Sequence, residues 1–506
     1  MSAAPSSFNL ADYFLGEDRL RQIGKRTAVE FRDTRITYEE LCGEVNYWSD
    51  RILECAVIEG ERVALLLYDS PEFIACFLAT TAMGAVCVPI NTFLSDDDIA
   101  FILSDSGARL VIAASGLEAK VNSSHCVLLT VDAVKQSYVH HRCAATLPAA
   151  IAATTRETPA FLLYTSGSTG TPKGVLHLHG SIPDTVETYA RNVLSLTGED
   201  RIYSASRMFF AYGLGNSLSF PLAAGATVVL EPDRMNAEQL VTFIKERAPT
   251  VFFAVPAVYL ALLEFHATGG QVDLGSVRLC VSAGEALPAT MFDDWKREFG
   301  FTILDGIGST EMLHIFISNR EGHARGGSSG TVVNGYAARL IDDAGNEVGP
   351  NELGNLWVLG SSATAGYWNR PDLTSITIKD GWVHTGDVYR RDEESFFYHI
   401  GRSDDCFKVK GLWVSPIEVE SVLVSHQSVS EAGVISAVDE SGLATARAYV
   451  VIRQDEPCEA LKEELRKFVG SQLPHYKVPS QIVFIEEMPR TSTGKIQRYK
   501  LRAEDR

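Results

Sequence analysis

The chain has 506 residues, about three times the usual single-domain length, so two or more domains are expected. Hydrophobic residues make up 46% and charged residues 22%, which supplies large cores and excludes a disordered, collagen-like or disulfide-scaffold chain. Lys plus Arg total 45 against 64 for Asp plus Glu, a net charge of −19. Phosphate affinity needs a basic face, so no nucleic-acid and no membrane-surface partner is expected. Any polyanionic ligand must then be met by a few local donors.

Residues 1–13 carry no Lys or Arg and no apolar h-region, so no secretory signal is expected. The runs 62–67, 85–88, 109–112, 227–230 and 250–253 are apolar and largely β-branched, with a helical pattern over 71–83. Continuous apolar strands alternating with helices predict an α/β fold of parallel-rich sheets covered by helices. Residues 73–90 contain no charge, but they are Ala-rich and break at Gly84. They therefore read as a buried helix followed by a core strand rather than a bilayer span. Residues 144–155 are Ala/Thr-rich and read as a loop.

From about residue 330 the pattern turns to antiparallel strands (335–342, 354–358) joined by Gly and Asp turns, a small β-barrel-like subdomain. A polar break at 401–405 suggests a division into a large N-terminal domain, 1–403, and a small, mobile α+β C-terminal domain, 404–506, with a hinge near Asp404. In the small domain 415–425 and 459–473 read as helices, and 431–437 and 446–452 as strands. The nine cysteines are scattered, odd in number and form no C-x-x-C pair. They read as reduced thiols packed as small hydrophobes, which points to a cytoplasmic protein.

The most informative stretch is Tyr164-Thr165-Ser166-Gly167-Ser168-Thr169-Gly170-Thr171-Pro172-Lys173-Gly174, following the strand-like Ala160-Phe161-Leu162-Leu163. Its glycines permit unusual backbone angles, its hydroxyls donate hydrogen bonds and its lysine supplies a cation, together a wrapping for a di- or triphosphate. It is not a Walker A loop, since Gly174 follows Lys173 and Pro172 precedes it.

This loop resembles the phosphate loop of the adenylate-forming superfamily. The further strings Asp305-Gly306-Ile307-Gly308-Ser309-Thr310-Glu311, Gly366-Tyr367-Trp368, His384-Thr385-Gly386-Asp387, Gly401-Arg402-Ser403-Asp404-Asp405 and Arg490-Thr491-Ser492-Thr493-Gly494-Lys495 follow in the family's order. The resemblance spans nearly the whole chain. It implies that a carboxylate attacks the α-phosphorus of ATP, pyrophosphate leaves, and the acyl-adenylate then meets a thiol; cations and preorganised donors are needed at the α-phosphate.

By the resemblance, Thr165, Ser166, Gly167, Ser168, Thr169, Gly170 and Lys173 hold the phosphates, and Glu311 ligates Mg²⁺. Thr310 touches the α-phosphate, and Lys495 reaches in from the small domain to bridge it to the acyl carboxylate. Asp387 accepts the ribose hydroxyls with Arg402 as partner. Asp305, Gly306, Gly308 and the backbone of Gly284, Glu285 and Ala286 frame adenine. Ile307 stands where the commonest pattern has an aromatic residue, giving adenine an aliphatic face instead of a ring stack. Rotation of the small domain would then bring Lys408, Lys410, Gly411 and Trp413 toward coenzyme A; Lys410 either contacts CoA phosphate or is simply solvated.

For the acid, no Asp lies between residues 201 and 230 to neutralise an α-ammonium, which argues against an amino acid. Residues 207–216 and 306–316 resemble benzoate- and anthranilate-CoA ligases. By that resemblance Phe210, Ala211, Tyr212, Gly213, Gly284, Gly308 and His314 line a slot for a small aromatic carboxylic acid. Phe209 and Phe210 are also read as core packing, at least one of them, and His314 as either a substrate-orienting or a structural histidine. His177 and His179 lack zinc-site spacing and read as support for the loop. The reading is an aryl-CoA ligase using ATP, Mg²⁺ and CoA, compatible with a homodimer. The alternative is a stand-alone aryl-activating enzyme that loads a carrier protein.

Overall fold

The computed structural model describes the chain except residues 1–6, 122–125, 132–146, 148–150, 167–170, 410–411, 439–443, 454–456, 491–495 and 504–506. Gly167, Ser168, Thr169, Gly170, Lys410, Gly411 and Lys495 therefore lie outside the described residues, as do most of 144–155 and the side chain of Ser166. Packing divides the chain into two compact units, Met1–Ala338 with Val358–Val383, and Arg339–Trp357 with His384–Arg506.

The first unit contains two parallel-rich sheets. In one, strands run in the order Thr331–Val332, Ile315–Ser318, Ile303–Gly308, Leu279–Ser282, Val251–Ala254, Arg201–Ser204, Thr227–Leu230, Thr27–Phe31, Thr34–Thr37. Its interior pairs are parallel, and antiparallel strands close both edges. The other has the order Gly366–Tyr367, Pro172–Leu178, Pro159–Ser166, Val86–Pro89, Arg62–Leu66, Leu110–Ala114, Val127–Val131. The central strands are mostly apolar because helices cover both faces.

The uncharged stretch 73–90 behaves as expected. Ser70 caps the helix Pro71–Ala82 through the Phe73 N–H, and Pro71 occupies its first turn, where no N–H is needed. Beyond Glu72 in its first turn the helix is buried nearly all round, hence the lack of charge from residue 73 on, and it leads into the core strand Val86–Pro89. Among the described residues, no helix is long and apolar enough to cross a membrane.

The expected β-rich subdomain is a five-stranded sheet of Tyr336–Ile341, Leu353–Gly360, Trp382–Arg391, Ile378–Lys379 and Phe397–Arg402. The small α+β part carries helices Pro416–Val424 and Glu459–Gln472 on strands Val429–Val438, Ala444–Ile452 and Gln481–Phe484, around a core of Val419, Leu423, Val434, Leu465 and Val469. Packing thus groups 384–403 with the C-terminal residues, whereas the sequence places the division at 403/404. The difference is physical: compactness follows continuous strands, while a hinge follows a local polar break.

Candidate active site

The expected phosphate loop is the connection of a β-hairpin. Pro159–Ser166 pairs antiparallel with Pro172–Leu178, with Thr165 opposite Lys173 and Ser166 opposite Pro172, so both residue pairs stand at its mouth. The return strand was not legible in the sequence, because Pro, Lys and Gly at its start are poor strand formers. Tertiary contacts impose it. The Tyr164 hydroxyl donates to Asp105 Oδ2 (2.6 Å), and the Trp368 N–H donates to the Gly174 carbonyl (2.8 Å).

The Asp305 strand lies parallel to Leu279–Ser282, with Asp305 opposite Ser282. Burial pushes the Asp305 carboxyl well above the usual carboxylate range, and its Oδ1 has no hydrogen-bond partner among the described residues. A buried acceptor left open at a strand's C-terminal end suits a ligand's N–H donor. Gly306 and Gly308 are demanded first by the protein itself: a Cβ would stand 2.9 Å from the Ile317 carbonyl at the former and 2.6 Å from the His314 carbonyl at the latter. Gly284, Glu285 and Ala286 are exposed, and Ile307 is half-buried.

Two residues outside the expected set hold Thr310 and Glu311. His177, fully buried and stacked on Phe161 (5.1 Å between ring centres), donates from Nε2 to the Thr310 carbonyl at 2.8 Å. Burial pushes its imidazole down to about 4, the Thr310 carbonyl offsetting part of the effect, so the ring stays neutral. The Tyr367 hydroxyl donates to Glu311 Oε1 at 2.7 Å. Among the described residues no hydrogen bond to Glu311 Oε2 is present, and a single carboxylate combined with substrate phosphates is a donor set that could hold Mg²⁺. His179 accepts the Leu10 N–H on Nδ1 (3.1 Å), so the described hydrogen bonds of the two rings go to Thr310 and Leu10 rather than to the loop itself.

His314 is buried among rings: Phe220 at 4.5 Å, Tyr189 at 5.3 Å and Tyr212 at 5.5 Å. Its Nε2 donates to Asn216 Oδ1 (3.1 Å), and Asn216 in turn donates to Ser204 Oγ (3.3 Å). Burial pushes the imidazole down to about 3 against the opposing Tyr212 backbone carbonyl. Two wide π-type turns, Val186–Arg191 and Gly215–Ser219, carry Tyr189 and Asn216 to this ring. Gly215 lies so close that a Cβ there would fall 2.3 Å from His314 Cδ2. The Tyr212 hydroxyl donates to the Val281 carbonyl (3.2 Å). Phe209 is core, and Phe210 is half-buried beside it, packed against the same core. Ala211 is buried, and Gly213 packs where a Cβ would strike the Arg207 carbonyl, so its role in the fold is backbone clearance.

In the second unit Asp387 stands opposite Arg402 across an antiparallel ladder. Arg402 Nη1 donates to Asp387 Oδ1 (3.1 Å) and to the Thr385 carbonyl (2.8 Å). Burial alone would raise the Asp387 carboxyl, but His399 at 3.6 Å and the Arg402 charge overcome it and hold the group at about 2. His399 was not singled out in the sequence; only its place on the strand facing Asp387 reveals it. Gly386, at φ +74°, leaves room for the Arg402 guanidinium. Lys408 pairs with Asp343 (2.8 Å) and lies 4.5 Å from the centre of the Trp413 ring, beside a cavity of about 310 Å³. The Asp404 carbonyl accepts from Arg502.

The family description "AMP-binding enzyme" matches residues 16–368, and "AMP-binding enzyme C-terminal domain" matches residues 418–495. The chain belongs to the AMP-binding enzymes. It is 38% identical over 509 residues to a benzoate–CoA ligase of Thauera aromatica, covering 99% of this chain and 96% of that protein. It is 35% identical to an anthranilate–CoA ligase of Pseudomonas aeruginosa, covering 88% and 87%. The crystal structure of the anthranilate CoA ligase AuaEII in complex with anthranoyl-AMP superposes with TM-score 0.90 at 36% identity, covering 99% and 98% of the two chains. A benzoate CoA ligase from Burkholderia xenovorans gives 0.87 at 38%, covering 98% and 100%. This AMP-binding enzyme is an AMP-forming acid–thiol ligase that joins an aryl acid to CoA through an acyl-adenylate, using ATP and Mg²⁺.

Proposed function

We propose that the acid is benzoate or a small substituted benzoate. The observation that carries this reading is the neutral His314–Asn216 pair enclosed by Tyr189, Tyr212 and Phe220: rings offer a flat apolar wall, and neither polar group carries charge. The relatives of this chain that act on benzoate and anthranilate agree with it.

In this reading Thr165, Ser166, the 167–170 glycine loop and Lys173 receive the phosphates. Asp305 accepts from adenine, and Asp387, held ionised beside Arg402, accepts the ribose hydroxyls. Glu311 holds Mg²⁺, which when bound offsets phosphate charge. Thr310 and Lys495 stabilise the charge that develops as the acid's oxygen attacks the α-phosphate. Between half-reactions the small domain turns about Asp404, exchanging the Lys495 loop for the face carrying Lys408, Lys410, Gly411 and Trp413. We place the enzyme in the cytoplasm, where its eight described free cysteines would stay reduced.

A pyrophosphate-release screen across benzoate, anthranilate, hydroxybenzoates, cinnamate and short fatty acids tests the choice of acid. Small benzoates should give the highest kcat/KM; a preference for cinnamate or fatty acids would overturn it.

A further inference from the structure

The three successive carbonyls of Thr310, Glu311 and Met312 are each met by a donor from another part of the first unit. His177 Nε2 donates to the first at 2.8 Å, the Thr364 N–H to the second at 2.7 Å, and Ser362 Oγ to the third at 2.8 Å. Within the turn, the Met312 N–H donates to Ser309 Oγ (3.2 Å) and the Leu313 N–H to the Thr310 carbonyl (3.1 Å). Leu313 sits at φ +67°, an unfavourable backbone for a branched side chain that persists only where its surroundings impose it. The backbone under Glu311 is therefore fixed from both sides.

A fixed backbone still leaves the glutamate side chain its own torsions, and holding one rotamer costs roughly 1–2 kcal/mol of entropy. The one side-chain hydrogen bond described for the Glu311 carboxylate comes from Tyr367 Oη to Oε1, at 2.7 Å. A hydroxyl donating to a carboxylate is of the stronger, charge-assisted kind. Tyr367 is itself rigidly presented. Its two-residue strand, Gly366–Tyr367, pairs antiparallel with the strand that carries His177, with Tyr367 opposite Val175. The Tyr367 N–H donates to Thr374 Oγ1 (2.9 Å), and the Gly366 N–H donates to Thr364 Oγ1 (3.0 Å).

We propose that Tyr367 is a positioning residue for the metal–nucleotide complex: by holding Oε1 of Glu311, it presents Oε2 to the cation before ATP arrives. Pre-ordering a ligand removes an entropic cost from binding, so the effect falls on affinity for Mg²⁺–ATP rather than on the acid. The proposal rests on the reading of Glu311 as the metal carboxylate, and its test separates the two.

The test uses the full-length enzyme without aryl acid. Isothermal titration measures binding of Mg²⁺–ATP and of ATP in EDTA to wild type, Tyr367→Phe and Glu311→Gln; steady-state adenylation at varied Mg²⁺ gives the half-saturating metal concentration. Tyr367→Phe should weaken Mg²⁺–ATP binding about tenfold, the size of one charge-assisted hydrogen bond, and raise the half-saturating Mg²⁺ similarly. Metal-free ATP binding and KM for the acid should stay within about twofold of wild type. Tyr367→Gln, whose amide can still donate, should recover part of the loss, and it carries the comparison if the Phe variant does not fold. Equal weakening of metal-free ATP binding, or no change in Mg²⁺–ATP binding while Glu311→Gln is impaired, overturns the role of Tyr367. If Glu311→Gln binds Mg²⁺–ATP like wild type, the reading of Glu311 fails first, and the proposal falls with it.

Discussion

His177, His179 and His314 are buried as neutral rings, with burial holding them down to about 4, 4 and 3 from an ordinary value of 6.5. A depressed histidine costs nothing above pH 6.5, where it is neutral in both folded and unfolded chains. Below that, the unfolded chain takes up a proton the folded state refuses, and stability falls until the pH reaches the folded value. At about pH 5 each ring costs the folded state roughly 2 kcal/mol, so the three together cost about 6 kcal/mol, comparable with a whole domain's stability. Asp69 works in the opposite sense: burial, against the Arg207 charge, lifts it to about 6, so it favours the folded state as the pH falls toward 3.8. Total acid lability therefore mixes signs, and one histidine must be isolated. His179→Asn keeps an acceptor for the Leu10 N–H and removes the titration. Urea unfolding followed by tryptophan fluorescence should show the variant losing about 2 kcal/mol less than wild type between about pH 7.5 and pH 5. Equal losses in the two proteins would refute the reasoning.

Lys495→Ala should reduce adenylation at least about a hundredfold while thiolysis of supplied aryl-adenylate largely survives; equal loss of both half-reactions would argue against a small domain that serves them in turn. Gly215→Ala places a methyl 2.3 Å from His314 Cδ2 and 2.7 Å from Nε2, so the ring must leave Asn216. Overpacking of this kind costs about 1–3 kcal/mol, and kcat/KM for the acid should fall about ten- to hundredfold with a changed ranking of ring substituents. An unchanged ranking would remove His314 from selectivity.

The reaction class was legible in the amino-acid sequence through the resemblance carried by short strings: glycines, hydroxyls and a lysine close together along the chain, and the equally local strings around Asp305, Asp387 and Lys495. The α/β alternation and the small α+β domain were legible for the same reason, since apolar periodicity is a short-range property. What only tertiary structure decided lies at long separation. Tyr367 reaches Glu311 and His177 reaches Thr310 because two strands pair, 56 and 133 residues away in sequence. His399 meets Asp387 across the Trp382–Arg391/Phe397–Arg402 ladder, and two π-type turns bring Tyr189 and Asn216 to His314. Whether a histidine is neutral or a carboxylate is oriented depends on burial and on partners from distant segments, because desolvation is set by everything packed around a group rather than by its neighbours along the chain.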